Sequence, residues 1–381
     1  MNTPACNHDI KIIESLADID EHQWDRLAGT QPFLRHAFLK ALQDTGCVSA
    51  RAGWIPQFIT LWRDHELVGA MPLYLKHHSY GEYVFDWAWA DAYQRHGLRY
   101  YPKLLSAIPF TPVAGKRLLA NTPEVEALLV AAALKLAQDM QISSLHCLFP
   151  EDAQAAIMQA QGMLLRRGLQ FHWHNPGYVS FDDYLAAMSH DKRKKIKQER
   201  RKVQEAGIVF EHIGGRDISE SQWAFFNECY SLTYHQHHST PYLNLAFFLQ
   251  VAASMPDNIL LILALRDGQP IASALNFFDA HALYGRYWGT TQYSPGLHFE
   301  TCYYQAIEFC IQRKLTIMEG GAQGEHKLAR GFLPSPTCSA HWLAHPEFAR
   351  AIEEFLAREG QGVAHYISEL NESNPFKQSC Q

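Results

Sequence analysis

Ile259-Leu-Leu-Ile-Leu-Ala-Leu-Arg-Asp-Gly-Gln-Pro-Ile-Ala-Ser-Ala-Leu-Asn-Phe-Phe278 reads as a β-hairpin. Two apolar runs flank an Asp-Gly pair, and that pair supplies the two positive-φ positions of a tight hairpin turn. The runs are almost continuously apolar, so both strands are buried on both faces. Two helices are predicted upstream, Ser219 to His237 and Leu245 to Ser254. Ser219 and Gln222 have the spacing of a capping box. Downstream come a strand over Ala282–Gly289, a loop, a helix from about Glu300 to Lys314, and a strand over Leu315–Met318.

The first half repeats this order. Helices at Asp20–Leu27 and Arg35–Gln43 precede a strand at Gln57–Trp62, a turn at Arg63-Asp-His-Glu66, and strands at Leu67–Leu75 and Glu82–Trp87. A helix from Pro123 to Gln141 follows, with Thr122 as N-cap and Pro123 at its first position. It leads to the strand Ser144–Phe149. The two Arg-Asp turns lie about 200 residues apart, too far for a solenoid repeat. The chain is therefore a duplicated domain, expected as 1–175 and 176–381 with the join near Asn175-Pro-Gly177. A length of 381 residues also exceeds one ordinary core.

Composition is that of a folded globular chain, 47% hydrophobic and 19% charged. A net charge of -6 argues against wholesale coating of nucleic acid and leaves room for a local basic patch. The opening residues lack a signal-peptide pattern, and the longest apolar run, Ala127–Leu134, is too short to span a membrane. The expectation is a cytoplasmic protein. Its eight cysteines, Cys6 and Cys380 included, contain no C-x-x-C pair and read as reduced thiols.

Chemistry concentrates in Glu319-Gly-Gly-Ala-Gln-Gly-Glu-His-Lys-Leu-Ala-Arg-Gly-Phe332, just after the last strand. Glycines allow close backbone approach, and acid beside base beside amine suits proton transfer. Glu319, Glu325 and His326 are candidate bases. Lys327 and Arg330, at i and i+3, are candidates to hold a phosphate or carboxylate. His298 and Glu300 stand at the start of a helix, His298 as an acid–base candidate and Glu300 as a substrate contact. Strand alternation places Tyr284, Arg286 and Trp288 on one face, where Arg286 needs an anionic partner from substrate or protein. The first half has its own polar–aromatic block, with Glu82, Tyr101 and Lys103 as candidate acceptor contacts.

Between the halves, a helix over 190–206 carries a run of Lys and Arg from Lys192 to Lys202. Ile196 and Val203 keep a helical apolar seam beneath it. The exposed face is a candidate site for tRNA, another polyanion or a membrane surface. Tyr234-His-Gln-His-His238 lacks Cys or carboxylate at ligand spacing, so no metal is expected.

Three blocks carry a resemblance to a known family. They are Ser79–Asp86 with Tyr100–Leu104 and Pro109–Pro112; Tyr284–Gly289 with Leu297–Gln305; and Gly320–Phe332. The chain resembles the FemAB-like predicted N-acyltransferases of peptidoglycan biosynthesis or recognition, built from two tandem GNAT domains. The resemblance implies an α+β fold. Each domain would be a mixed, mostly antiparallel sheet flanked by helices, with two central strands parallel and splayed around the donor. It further implies transfer of an acyl or aminoacyl group from acyl-CoA or aminoacyl-tRNA to an amine, with no permanently bound cofactor. Gln292 and Gly296 stand in the loop that cradles the donor's phosphates in GNAT proteins, and Tyr303 joins Arg286 and Trp288 as a substrate contact. The alternative is a non-catalytic module that binds a cell-wall precursor or RNA.

Overall fold

The computed structural model describes residues 8–321 and 324–377. Cys6, Cys380 and the Ala322-Gln323 pair of the Gly-rich segment lie outside the described residues. The chain forms two compact units. One runs up to Gly168 and includes Pro336–Ala364; the other comprises Leu169–Ser335 and the residues from His365 on.

The first unit opens with β1 (Asp9–Ile13), α1 (Glu21–Ala28), α2 (His36–Asp44) and β2 (Trp54–Pro56). Next come β3 (Phe58–Arg63), β4 (Glu66–Met71), β5 (Tyr74–Lys76), α3 (Trp87–Arg95) and β6 (Lys103–Ser106). It continues through β7 (Leu119–Ala120), α4 (Pro123–Asp139), β8 (Ser144–Leu148) and α5 (Asp152–Ala160), and β9 (Leu164–His174) runs from the first unit into the second. The second unit continues with α6 (Phe181–Ala187), α7 (His190–Glu205), β10 (Ile208–Gly214), α8 (Glu220–Gln236) and α9 (Leu245–Ser254). The hairpin β11 (Ile259–Arg266) and β12 (Gln269–Phe278) is followed by β13 (Ala282–Thr290), α10 (Leu297–Phe299), α11 (Gln305–Arg313) and β14 (Ile317–Glu319). The chain ends with β15 (Phe332–Leu343) and α12 (Pro346–Glu372). No described helix is long and apolar enough to cross a membrane.

Both units contain the same device. The β3–β4 turn holds Asp64 and His65 at positive φ, and the β11–β12 turn holds Asp267 and Gly268 there. Each hairpin also has a register irregularity just before its turn, at Leu61/Trp62 and at Ala264/Leu265. Among the described residues each unit has a parallel strand pair, β6 with β8 and β13 with β14. The other named pairings are antiparallel, giving the expected mixed α+β sheets. Cores form where helices cover these sheets. In the first unit α4 packs Leu129, Val130 and Ala133 onto β3, β4 and β8. In the second, α11 packs Ile307 and Cys310 onto Leu283 and Met318.

Local signals placed the ends of the elements. Thr122 caps α4 and Asn244 caps α9, and Ser219 with Gln222 makes the full capping box of α8. Two expectations fail. Leu67–Leu75 is not one strand, because Pro72 cannot donate to the ladder and splits it into β4 and β5. Glu82–Trp87 is not a strand at all. Tyr83 takes a left-handed φ of 63°, and Glu82 and Asp86 both turn inward to Lys103. The third-strand position is taken by β6.

Candidate active site

The parallel pair of the second unit is short. β13 and β14 match only from Ala282/Ile317 to Tyr284/Glu319. Beyond that point β13 runs on to Thr290 while β14 ends. The parting coincides with a bulge: Asn276 of β12 faces Gly285 and Leu275 faces Tyr287, so Arg286 is the extra residue. This corrects the expected alternation along β13. After the bulge, Trp288 packs on the same core as Leu283, while Tyr287 stacks edge-on with Tyr230 and Phe248 of α8 and α9.

A cavity of about 160 Å³ lies at the parting, bounded by Asn276, Arg286, Trp288, His298, Cys302 and Tyr303, with Gly320 and Gly321 at its edge. One wall comes from a π-turn, Glu300–Tyr304, between α10 and α11. The wider turn re-aims side chains within an otherwise helical run, and such turns recur at functional sites. Here it presents Cys302 and Tyr303 to the cavity. Glu300 is buried elsewhere, between Arg200 (3.0 Å) and the Gln305 amide (2.8 Å), and burial raises its pKa against the pull of Arg200.

The Gly-rich segment closes the other side. The Tyr303 hydroxyl and His326 Nε2 are 3.0 Å apart. Burial, then Arg330 and Lys327, lower the His326 pKa, so its imidazole is neutral near pH 7. His298 packs on Trp288 and Tyr303, and burial with His326 and the same cations brings it to about 4. Lys327 is buried, its Nζ donates to the Gly321 carbonyl at 2.7 Å, and desolvation lowers it to about 8. Glu319 is half-buried at the last paired position of β14, opposite Tyr284 and His172.

The remaining sequence candidates stand apart from the cavity. Arg330 is buried, donates to Glu199 of α7 at 2.8 and 3.0 Å, and lies over the Phe299 ring. Glu325 is exposed and accepts from the Tyr366 hydroxyl. Gln292 is exposed and accepts from Arg266 at 3.3 Å. Gly296 has φ 83° at the start of α10, and a Cβ there would lie 3.4 Å from the Glu199 carbonyl and from Val203. Its missing side chain lets α7 approach. Sequence reasoning missed Asn276 and Cys302. Asn276 had a signal, as a polar residue near the end of an apolar strand; Cys302 had none, because only the π-turn aims it.

The first-unit candidates belong to a different arrangement. Lys103 is fully buried and donates to Ser79 (2.8 Å), Glu82 (2.8 Å) and Asp86. The network extends through the Tyr100 hydroxyl to His146, and from His146 to His341. Lys76 lies 3.9 Å from Glu82. Tyr101, half-buried, contacts Ser79 at 2.8 Å. Glu82 and Lys103 are thus held by protein partners inside the unit. The gap that opens in the second unit is closed here. The chain after β6 stays beside the continuation of β8, with Gly115 bridging Pro150. The buried Arg117 guanidinium donates to the carbonyls of Val113, Gly115, Lys116 and Leu148. Among the described residues no cluster of His, Cys, Asp and Glu is suited to hold a metal ion.

The second unit is a mixed sheet whose parallel strands part around a cavity, and the first unit repeats its strand order, which is the tandem GNAT fold. The chain belongs to the FemAB-like family, described as peptidoglycan biosynthesis/recognition, which matches residues 15–378. No curated protein matches it. Among solved structures it is similar to FemX (TM-score 0.54, 11% identity, 88% of this chain and 98% of that one). It is also similar to the C-terminal domain of a putative lysylphosphatidylglycerol synthetase from Agrobacterium fabrum (0.54, 9%, 90% and 97%). A third is L-PGS from Bacillus licheniformis (0.55, 9%, 88% and 97%). At these identities the likeness is one of fold.

Proposed function

We propose that the protein is an N-acyltransferase that moves an acyl or aminoacyl group from an activated donor to an amine, with the chemistry in the second unit. The observation that carries this is the cavity at the parting of β13 and β14, with Tyr303 on its wall and His326 Nε2 3.0 Å from the Tyr303 hydroxyl. Acyl transfer to an amine needs the amine deprotonated, the carbonyl oxygen's growing charge held, and the leaving group protonated. His326, neutral and exposed, accepts the amine proton; Glu319 at the end of β14 is the second candidate base. Lys327, still largely protonated at neutral pH, and Arg286 supply positive charge beside the cavity. The Tyr303 hydroxyl donates to the departing oxygen or sulfur, and His326 restores its proton. His298 is the neutral polar wall rather than a charged acid.

The donor is an acyl-CoA or an aminoacyl-tRNA, and the acceptor is the amine of a peptidoglycan precursor. The exposed cations of α7 favour a donor or acceptor with a polyanionic handle. Their inner neighbours, Glu199 and Arg200, hold Arg330 and Glu300, which links that face to the cavity walls. The test incubates the full chain with an acyl-CoA panel, charged tRNAs and muropeptide amines, and reads products by mass spectrometry. Turnover should fall about 100-fold in Tyr303→Phe and in His326→Ala. Full activity in both variants would remove these residues from the mechanism. Tight donor binding with no product across the panel would favour the non-catalytic alternative.

A further inference from the structure

Asn276 is the polar residue inside the β12 wall of the cavity. It is 1% exposed, and its amide nitrogen donates to the carbonyls of Leu260 (3.4 Å) and Ala274 (3.3 Å). Those two carbonyls fix the orientation of the amide, because only the NH₂ group can donate to them. The carbonyl oxygen, Oδ1, therefore points the other way, toward Gly285 at the parting of β13 and β14. There it faces the cavity, where a ligand N–H or O–H can donate to it. Cys302 and Trp288 also line the cavity. Burial pushes the Cys302 thiol up, so it stays an uncharged S–H and behaves as a small apolar wall.

Resting on the transferase reading above, we propose that Asn276 and Cys302 select the transferred group. Asn276 Oδ1 accepts a hydrogen bond from an N–H or O–H on the carbon next to the reacting carbonyl. Cys302, with Trp288, limits the group's size. A cavity of about 160 Å³ is close to the size that holds benzene, so the limit is about six non-hydrogen atoms. The matching class is a short 2-amino or 2-hydroxy acyl group. Unsubstituted fatty acyl chains and aromatic side chains fall outside it.

Alanyl, lactyl and isobutyryl groups have nearly the same shape and differ only in the substituent that meets Oδ1. Stable amides of all three, on 3′-amino-3′-deoxyadenosine and on a pantetheine amine analogue, separate the group from its carrier. Isothermal titration of the full chain should find alanyl and lactyl bound about tenfold tighter than isobutyryl on whichever carrier binds. Asn276→Leu should equalise the three. Asn276→Asp, which keeps an acceptor, should retain the preference for alanyl. Cys302→Ala should admit a leucyl group that the native chain binds at least tenfold more weakly than alanyl. Circular dichroism melts establish that each variant is folded. Equal binding of the three groups by the native chain, undiminished discrimination in folded Asn276→Leu, or no binding on either carrier would overturn the proposal. Discrimination without turnover would instead leave the selectivity standing and remove the transferase reading.

Discussion

In the proposed reaction Lys327 supplies positive charge beside the cavity, where negative charge would develop during transfer. Its desolvated amine loses the proton at about 8, so activity that depends on the ammonium should fall as pH rises through that value. His326 acts as a base only when neutral, and its lowered pKa moves the acid limb below the ordinary histidine range. A profile of kcat/KM against pH should therefore be a bell with its alkaline limb near 8, and Lys327→Met should remove that limb. Removing a charge that faces the oxyanion typically costs about 100-fold or more. In the first unit, burial raises Glu82 from 4.5 to about 7 and lowers Lys76 from 10.5 to about 7. Folded Glu82 holds a proton that the unfolded chain releases, so its contribution to stability declines from pH 4.5 to 7. Folded Lys76 releases a proton that the unfolded chain keeps, so its contribution improves from pH 7 to 10.5. Buried His146 and His341, whose pKa values burial lowers, act against the Glu82 change below pH 6.5, because the unfolded chain binds protons there that the folded chain does not. Thermal melts from pH 4.5 to 7 should show Glu82→Gln gaining stability relative to the native chain as pH rises.

At the scale of elements, the site is built from two irregularities. The Arg286 bulge ends regular pairing just where β13 leaves β14, and the π-turn aims Cys302 and Tyr303 into the resulting gap. Helix α8 holds the far half of β13 in place. Thr233 of α8 donates to the Trp288 carbonyl at 2.7 Å, and a Cβ at Gly289 would fall 2.0 Å from the Cys229 carbonyl. That contact is backbone against backbone, so neither side can yield without moving an element. Gly289→Ala should cost about 1–3 kcal/mol, the usual range for overpacking, measured as a shift in the urea midpoint. It should also weaken donor binding, because Trp288 borders the cavity. A Gly289→Ala chain as stable as the native protein would contradict the close approach.

At the scale of the molecule, the duplication has left the halves unequal. The second unit keeps its strands parted around a cavity. The first fills the corresponding place with Arg117 and keeps its ionisable groups for an internal network. Helix α7 connects charge on the surface to the second unit's site. Arg193, Lys197 and Arg201 recur every four residues, about 6 Å apart along the axis, on its outer face. If that stripe grips a polyanion, binding of single-stranded RNA or an anionic glycan should weaken steeply with salt. Arg193→Glu, Lys197→Glu and Arg201→Glu together should flatten the slope of log K against log salt. An unchanged slope would remove the stripe from binding. The amino-acid sequence by itself determined the hairpin turns, the caps of α4 and α8, the apolar seam of α7 and the duplicated order. These depend on φ preferences, capping spacing and periodicity within a few residues. It also marked the Gly-rich segment, but not how its charges divide. Arg330 goes to Glu199, a partner 131 residues away, and outside the segment Glu300 goes to Arg200, 100 residues away. The bulge at Arg286, the aim of Cys302 and the closure by Arg117 were likewise decided by tertiary structure. Each depends on strand register and on competition for buried partners, which only long-range packing resolves.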